Sequence, residues 1–155
     1  MGDGDLKRSI FPTKVLLATD GSEDAKLANE TAADLASSTD SELYVVTVGG
    51  GQPDPGYYLE GGPTYEQVRD VIRREAEGIL EKQVKSIEEA GGTVKESFVR
   101  MGDRAREIVK LSEELDAGLI VMGSRGLGGL KRAFMGSVSD AVVRYAHCPV
   151  MIVRR

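Results

Sequence analysis

The sequence predicts a doubly wound α/β domain, a parallel sheet with helices on both faces. Three observations carry that prediction. Short β-branched or aromatic runs alternate with helical apolar repeats, in the order β-α-β-α-β-α-β-α-β. Such alternation implies parallel pairing through right-handed crossovers. The runs "VLLA" and "LIVM" are continuously apolar, as strands covered on both faces should be. Finally, clusters of Gly, Asp and Ser punctuate the junctions. At 155 residues the length prior is one domain, with roughly 70% of the unfolded chain's surface buried on folding. Residues 1–155 are therefore read as a single domain, with 1–12 expected to be flexible.

The elements follow in order. Residues 14–19, "KVLLAT", form the first strand, ended by Asp20-Gly21-Ser22. Residues 23–38 set Ala25, Ala28, Ala32, Leu35 and Ala36 at helical spacing. Residues 42–48, "ELYVVTV", are the second strand, and the Gly- and Pro-rich residues 49–63 are expected to be a mobile loop. From Thr64 a long helical pattern follows through Val68, Val71, Ile72, Ile79, Leu80, Val84 and Ile87 until Gly91-Gly92 stops it. Residues 93–99, "TVKESFV", are the third strand. Asp103 is the N-cap of a helix with Ile108, Leu111 and Leu115 inward. "GLIVMG" is the fourth strand. Residues 137–146 form the last helix, with Val138, Ala141, Val142 and Tyr145 on one side, and "PVMIV" is the final strand.

Composition narrows the function. The formal net charge is −5 and the pI is about 5.0, so the summed field repels a phosphate backbone and nucleic acid is not an expected partner. A single cysteine, Cys148, excludes an internal disulfide framework. With a single histidine, His147, a structural zinc site is not expected. The first residues carry no apolar targeting region and no run approaches membrane-spanning length; no membrane partner and a cytoplasmic location are expected. His147 reads as a helix-end histidine facing the dipole, and Cys148 as a small apolar residue. Tyr57 and Tyr58 read as parts of the loop, and Glu66, Arg69, Asp70, Arg73, Arg74 and Glu77 as a solvated helix face.

The segment "GSRGLGGLKRAFMGS", residues 123–137, holds Gly123, Gly126, Gly128, Gly129 and Gly136 with Arg125, Lys131 and Arg132. It lies between the fourth strand and the last helix. Backbone amides in such a loop and the positive end of a helix dipole make an anion site, and glycine lets the backbone approach a phosphate closely. A flexible loop ending in an ordinary cap is the competing reading, and Ser137-Val138-Ser139-Asp140 fits the S-x-x-D capping pattern. A P-loop is excluded, since Lys131 follows Leu130 and precedes Arg132. A dinucleotide fingerprint is excluded because Lys131 stands where its third glycine belongs. Asp20, Glu23 and Asp24 suit the dipole of the first helix but repel an anion, so phosphates belong on the last helix and Asp20 faces a hydroxyl or a cation. In doubly wound sheets the ligand lies at the carboxyl ends of strands where strand order reverses.

The spacing Gly123-x2-Gly126-x9-Gly136-Ser137 resembles the nucleotide-binding signature G-x2-G-x9-G-(S/T) of the universal stress protein family, in its ATP-binding subgroup. "VLLATDGSEDA", "VRMGDRAREIV" and the last third of the chain resemble that family's flanking segments, with Arg104 standing where proline is common. The resemblance implies an adenine nucleotide alpha hydrolase-like fold with sheet order 3-2-1-4-5, whose reversal falls between the strands ending at Asp20 and Gly123. It implies ATP as ligand, with Mg2+, AMP or ADP being further possible occupants. It places Asp20 at the ribose, Val48 at adenine through its backbone, and Gly123, Ser124, Arg125 and Gly126 along the ribose and phosphates. Gly136, Ser137 and Val138 then hold the distal phosphates. It also implies a homodimer through the last strand.

The leading functional reading is an ATP-binding stress-response regulator acting on a protein partner that the sequence does not name. No residue stands out as a general base beside the glycine segment, so at most slow hydrolysis is expected and no catalytic residue is assigned. Two alternatives stay open. One is an ATP-consuming enzyme of the ATP-pyrophosphatase type, which expects S-G-G-x-D-S after the first strand where this chain has "TDGSED". The other is a dimeric scaffold with a vestigial site.

Overall fold

The sequence folds, in a computed structural model, around a sheet assembled entirely from parallel pairs. The structure describes residues 9–50, 61–124 and 135–154. Its elements are β1 (Lys14–Ala18), α1 (Glu23–Ser38), β2 (Glu42–Gly49), α2 (Tyr65–Glu89), β3 (Glu96–Met101), α3 (Arg104–Leu115), β4 (Leu119–Gly123), α4 (Ser137–Tyr145) and β5 (Val150–Val153). The sheet order is β3-β2-β1-β4-β5. Leu17 lies opposite Val45 on one side and Val121 on the other, so the three central apolar runs are in register.

Alternation along these strands divides the interior in two. Val15, Leu17, Leu43, Val45, Leu119 and Val121 face α1 and α2, meeting Ala28, Ala32, Leu80 and Ile87. Leu16, Ala18, Tyr44, Val46, Ile120 and Met122 face α3 and α4, meeting Ile108, Leu111 and Val142. Each fully buried Leu, Ile or Val contributes about 1.5–3 kcal/mol. The small alanines of α1 let that helix lie close over the sheet.

Several boundaries move from their predicted places. The third strand runs Glu96–Met101 rather than 93–99. Being an edge strand, it extends only as far as its single neighbour, pairing from Tyr44↔Glu96 to Gly49↔Met101. Gly49, predicted in the mobile loop, is a buried β2 residue. Phe11, predicted to be flexible, packs on the α1–α2 core and its N–H donates to the Ser9 hydroxyl at 3.1 Å. Val71, part of the helical pattern, is 63% exposed; the buried residues of α2 are Ala76, Leu80 and Ile87, in its later turns. Tyr145, predicted on the same side of the helix as Val142, is 72% exposed while Val142 is buried; Ala146 and Cys148, just beyond α4, pack on the core.

Candidate functional site

The switch in strand order lies between β1 and β4. The helices that follow them, α1 and α4, leave on opposite faces of the sheet. A cavity of about 780 Å³ runs from the ends of β2 and β3, between α2 and α3, to the first turn of α4; none of the described residues that line it belongs to β1 or β4. Gly49, Gly50, Met101 and Gly102 lie at its strand end, Tyr65, Arg69 and Arg104 line it from α2 and α3, and Ser137, Val138 and Ala141 from α4. Glycine is obligatory at the strand end: a Cβ on Gly50 would overlap the Gly102 carbonyl oxygen.

The helix starts around this region differ in one respect. Ser22 caps α1 by accepting from the Ala25 N–H at 3.3 Å. Thr64 and Gln67 form a reciprocal capping box on α2. Asp103 caps α3, as predicted, accepting from the Arg106 N–H at 2.9 Å. On α4 the cap is Gly136, with no side-chain hydrogen bond. The predicted Ser137 cap is thus corrected. Ser137 is the first helical residue, and the hydroxyl nearest the cap is that of Ser139, which lies 3.0 Å from the Gly136 carbonyl oxygen. First-turn amides have no intrahelical partner, so an uncapped α4 presents its positive end at the cavity wall formed by Ser137 and Val138.

The other predicted site residues are placed as follows. Asp20 is half-buried in the turn after β1, and its Oδ1 accepts from the Ser22 N–H at 2.9 Å, the local hydrogen bond typical of an Asx turn. Val48 packs its side chain on the α3–α4 core. Its main-chain groups point toward the β1 side. The Val46 carbonyl accepts from the Thr19 N–H at 3.0 Å and the Gly49 carbonyl from the Gly102 N–H at 3.0 Å, so alternation turns Val48 like Val46, beyond the end of β1 at Ala18. Gly123 ends β4, where a Cβ would stand 3.0 Å from the Asp24 carbonyl carbon; α1 approaches so closely that no side chain fits. Ser124 is buried, and its hydroxyl donates to Asp24 Oδ2 at 3.1 Å, away from solvent. Gly136 donates its N–H to the Ser124 carbonyl at 2.7 Å. Arg125 and Gly126, like Tyr57 and Tyr58, lie outside the described residues. Of the predicted residues that are described, Ser137 and Val138 line the cavity, and Asp20, Val48, Gly123, Ser124 and Gly136 do not.

Sequence reading missed four features. Gly49 and Gly50 were hidden in a loop-like composition. Arg69 passed for a solvated face, although it lines the cavity. Asp24 passed for a dipole acid, yet it is 6% exposed. Ser139 was counted only within a capping pattern; its burial would have required the sheet order to foresee. Among the described residues, no group of three or more His, Cys, Asp or Glu could hold a metal ion, and no helix is long and apolar enough to cross a membrane. Cys148 is half-buried, and burial pushes its thiol above the usual range, which leaves less thiolate for chemistry.

The universal stress protein family model matches residues 12–154. A universal stress protein of Methanocaldococcus jannaschii is 35% identical over 142 residues, covering 92% of this chain and 82% of that protein. A universal stress protein solved in complex with cAMP superposes with a TM-score of 0.69 at 26% identity, covering 94% of this chain and 98% of the other. One from Archaeoglobus fulgidus in complex with dAMP gives 0.63 at 27% identity, covering 90% and 96%. Sheet order, matched span and relatives agree, and this chain belongs to the universal stress protein family.

Proposed function

We propose that this chain binds adenine nucleotides, ATP foremost, at the β1–β4 switch, and acts as a nucleotide-dependent regulator in the cytoplasm with little or no hydrolysis of its own. The observation that carries the reading is the uncapped first turn of α4 opening on the cavity. Preorganised amides at a helix N-terminus suit a phosphate, and two relatives hold adenosine monophosphate derivatives. In this reading Gly136, Ser137 and Val138 receive the distal phosphates, with Gly123, Ser124, Arg125 and Gly126 along their approach. The Val48 main chain meets adenine, and the second oxygen of Asp20 meets the ribose. Mg2+ would arrive with the triphosphate, held chiefly by its oxygens. Nucleotide occupancy would alter the surface that a protein partner reads. The half-exposed edge strand β5 pairs with its two-fold mate, which covers an apolar edge; a monomer in sedimentation at micromolar concentration would contradict that assembly.

Titration of wild type and Asp20→Ala with ATP and AMP tests the site. A carboxylate accepting a ribose hydroxyl contributes about 1.5–3 kcal/mol, so Asp20→Ala weakens both ligands by similar factors of about tenfold or more. A wild type that binds neither contradicts the reading. Wild-type phosphate release above about 1 s⁻¹, abolished in an Asp20→Ala protein that binds normally, would replace it with an enzyme.

A further inference from the structure

We propose that Asp24, Ser124 and Ser139 form a buried clasp that positions the α4 N-terminus for phosphate, with Ser139 as its key positioning residue. The proposal rests on the nucleotide reading above and concerns the hydrogen bonds that these three residues make within the protein.

Ser124 is the hub. Its N–H donates to the Val153 carbonyl at 3.0 Å, tying it to β5. Its hydroxyl donates to Asp24 Oδ2 at 3.1 Å, tying it to the first turn of α1. Its carbonyl accepts from the Gly136 N–H at 2.7 Å and lies 2.9 Å from the Ser139 hydroxyl, tying it to α4. The single Ser139 proton is shared between that carbonyl and the Gly136 carbonyl at 3.0 Å, a three-centre arrangement common at helix ends. Asp24, Ser124 and Ser139 are 6%, 5% and 2% exposed, so water does not compete for these bonds. The missing side chain of Gly123 lets α1 come near enough for the Asp24 arm to reach.

The consequence is mechanical. The Gly136 cap has no side-chain hydrogen bond, so among the described residues the helix axis is aimed by the cap backbone and by Ser139. A caps-by-solvent helix end would fray; this one is held against β4 by two donors converging on one carbonyl. The amides of Ser137 and Val138, two residues and one residue before Ser139, take their direction from that anchorage. Oriented in advance, they need no reorganisation when charge arrives, and preorganisation is what converts a hydrogen bond into affinity. The clasp therefore acts on the phosphate end of the ligand and leaves the base and ribose alone.

The test uses ATP and adenosine, with wild type, Ser139→Ala, Ser139→Thr and Ser124→Ala. Losing one such bond predicts up to about tenfold weaker ATP binding in Ser139→Ala, adenosine affinity unchanged, and recovery in Ser139→Thr, which keeps the hydroxyl. Ser124→Ala, which loses only the α1 arm, weakens ATP by less. A parallel arm needs no nucleotide: exchange of the Gly136 amide speeds up in Ser139→Ala, while the Val121 amide in β4 reports any global loss of stability. Equal weakening of ATP and adenosine, or Gly136 exchange that changes only in step with Val121, overturns the clasp. A wild type that binds neither ligand overturns the nucleotide reading instead, and the exchange arm then decides the clasp alone. Should Ser139→Ala fail to fold, Ser124→Ala is read by the same two criteria.

Discussion

Two strand-to-helix junctions meet at the centre of this sheet and are finished in opposite ways. β1 and β4 are neighbours, and the next element after each is a helix. After β1 the turn closes on itself. Asp20 accepts from Ser22, Ser22 caps α1, and Glu23 and Asp24 satisfy the dipole. After β4 the helix start has no side-chain cap, and its first turn faces a cavity. The lesson is that a helix N-terminus becomes a binding feature by what is withheld from it. Acids and caps at α1 spend its positive end locally, whereas in the proposed reading α4 keeps its own for an incoming anion.

The largest expected effect comes from forcing the junctions apart. Gly123→Val puts a β-branched side chain where even a Cβ would stand 3.0 Å from the Asp24 backbone. Overpacking of this kind costs about 1–3 kcal/mol, and it should lower the denaturation midpoint and weaken ATP together. Unchanged stability in chemical denaturation would show that α1 and β4 are not as tightly coupled as their contact implies.

Ser137→Pro comes next. Proline is tolerated at the first helical position, where its missing N–H costs no intrahelical bond, and Gly136 before it is already extended at ψ 156°. The fold should therefore survive while ATP binding weakens about tenfold, or 1.4 kcal/mol. Calorimetry beside a thermal melt checks both halves. Ser22→Ala completes the contrast with the converse result. Loss of that α1 cap costs about 1 kcal/mol of stability and leaves ATP affinity unchanged. If Ser22→Ala weakened nucleotide as much as Ser137→Pro, the two junctions would not differ in role.

Much of this arrangement is legible in the chain itself. Periodicity two against periodicity 3.6 gives the element order, because each strand or helix must hide one face. Thr64 with Gln67 and Asp103 before Arg106 announce helix starts through chemistry that is local. What stays illegible is non-local. The side of the sheet on which each helix packs determines that Asp24 turns inward to Ser124, although an acid in a first turn is ordinarily a surface feature. Gly50 and Gly102 form one close approach across two strands, but in sequence they are fifty-two residues apart and one sits in a glycine-rich run. The glycine spacing 123–136 points, by family resemblance, to the junction proposed as the nucleotide site, whereas the reason Gly123 must be glycine is the packing of α1. Edge strand β3 slips from its predicted bounds because β2, rather than its own composition, sets its length.

The central claim is that the uncapped α4 start, beside the ends of β2 and β1, is where an adenine nucleotide binds. Titrating ATP into uniformly 15N-labelled protein and following backbone amides measures this most directly. The account predicts the largest shifts at Ser137 and Val138, with further shifts at Val48, Gly49 and Gly50, and little change at the capped start of α2. No shifts at saturating ATP, or shifts gathered on the outer face of β3 and α3 around Arg100 and Glu114, would contradict it.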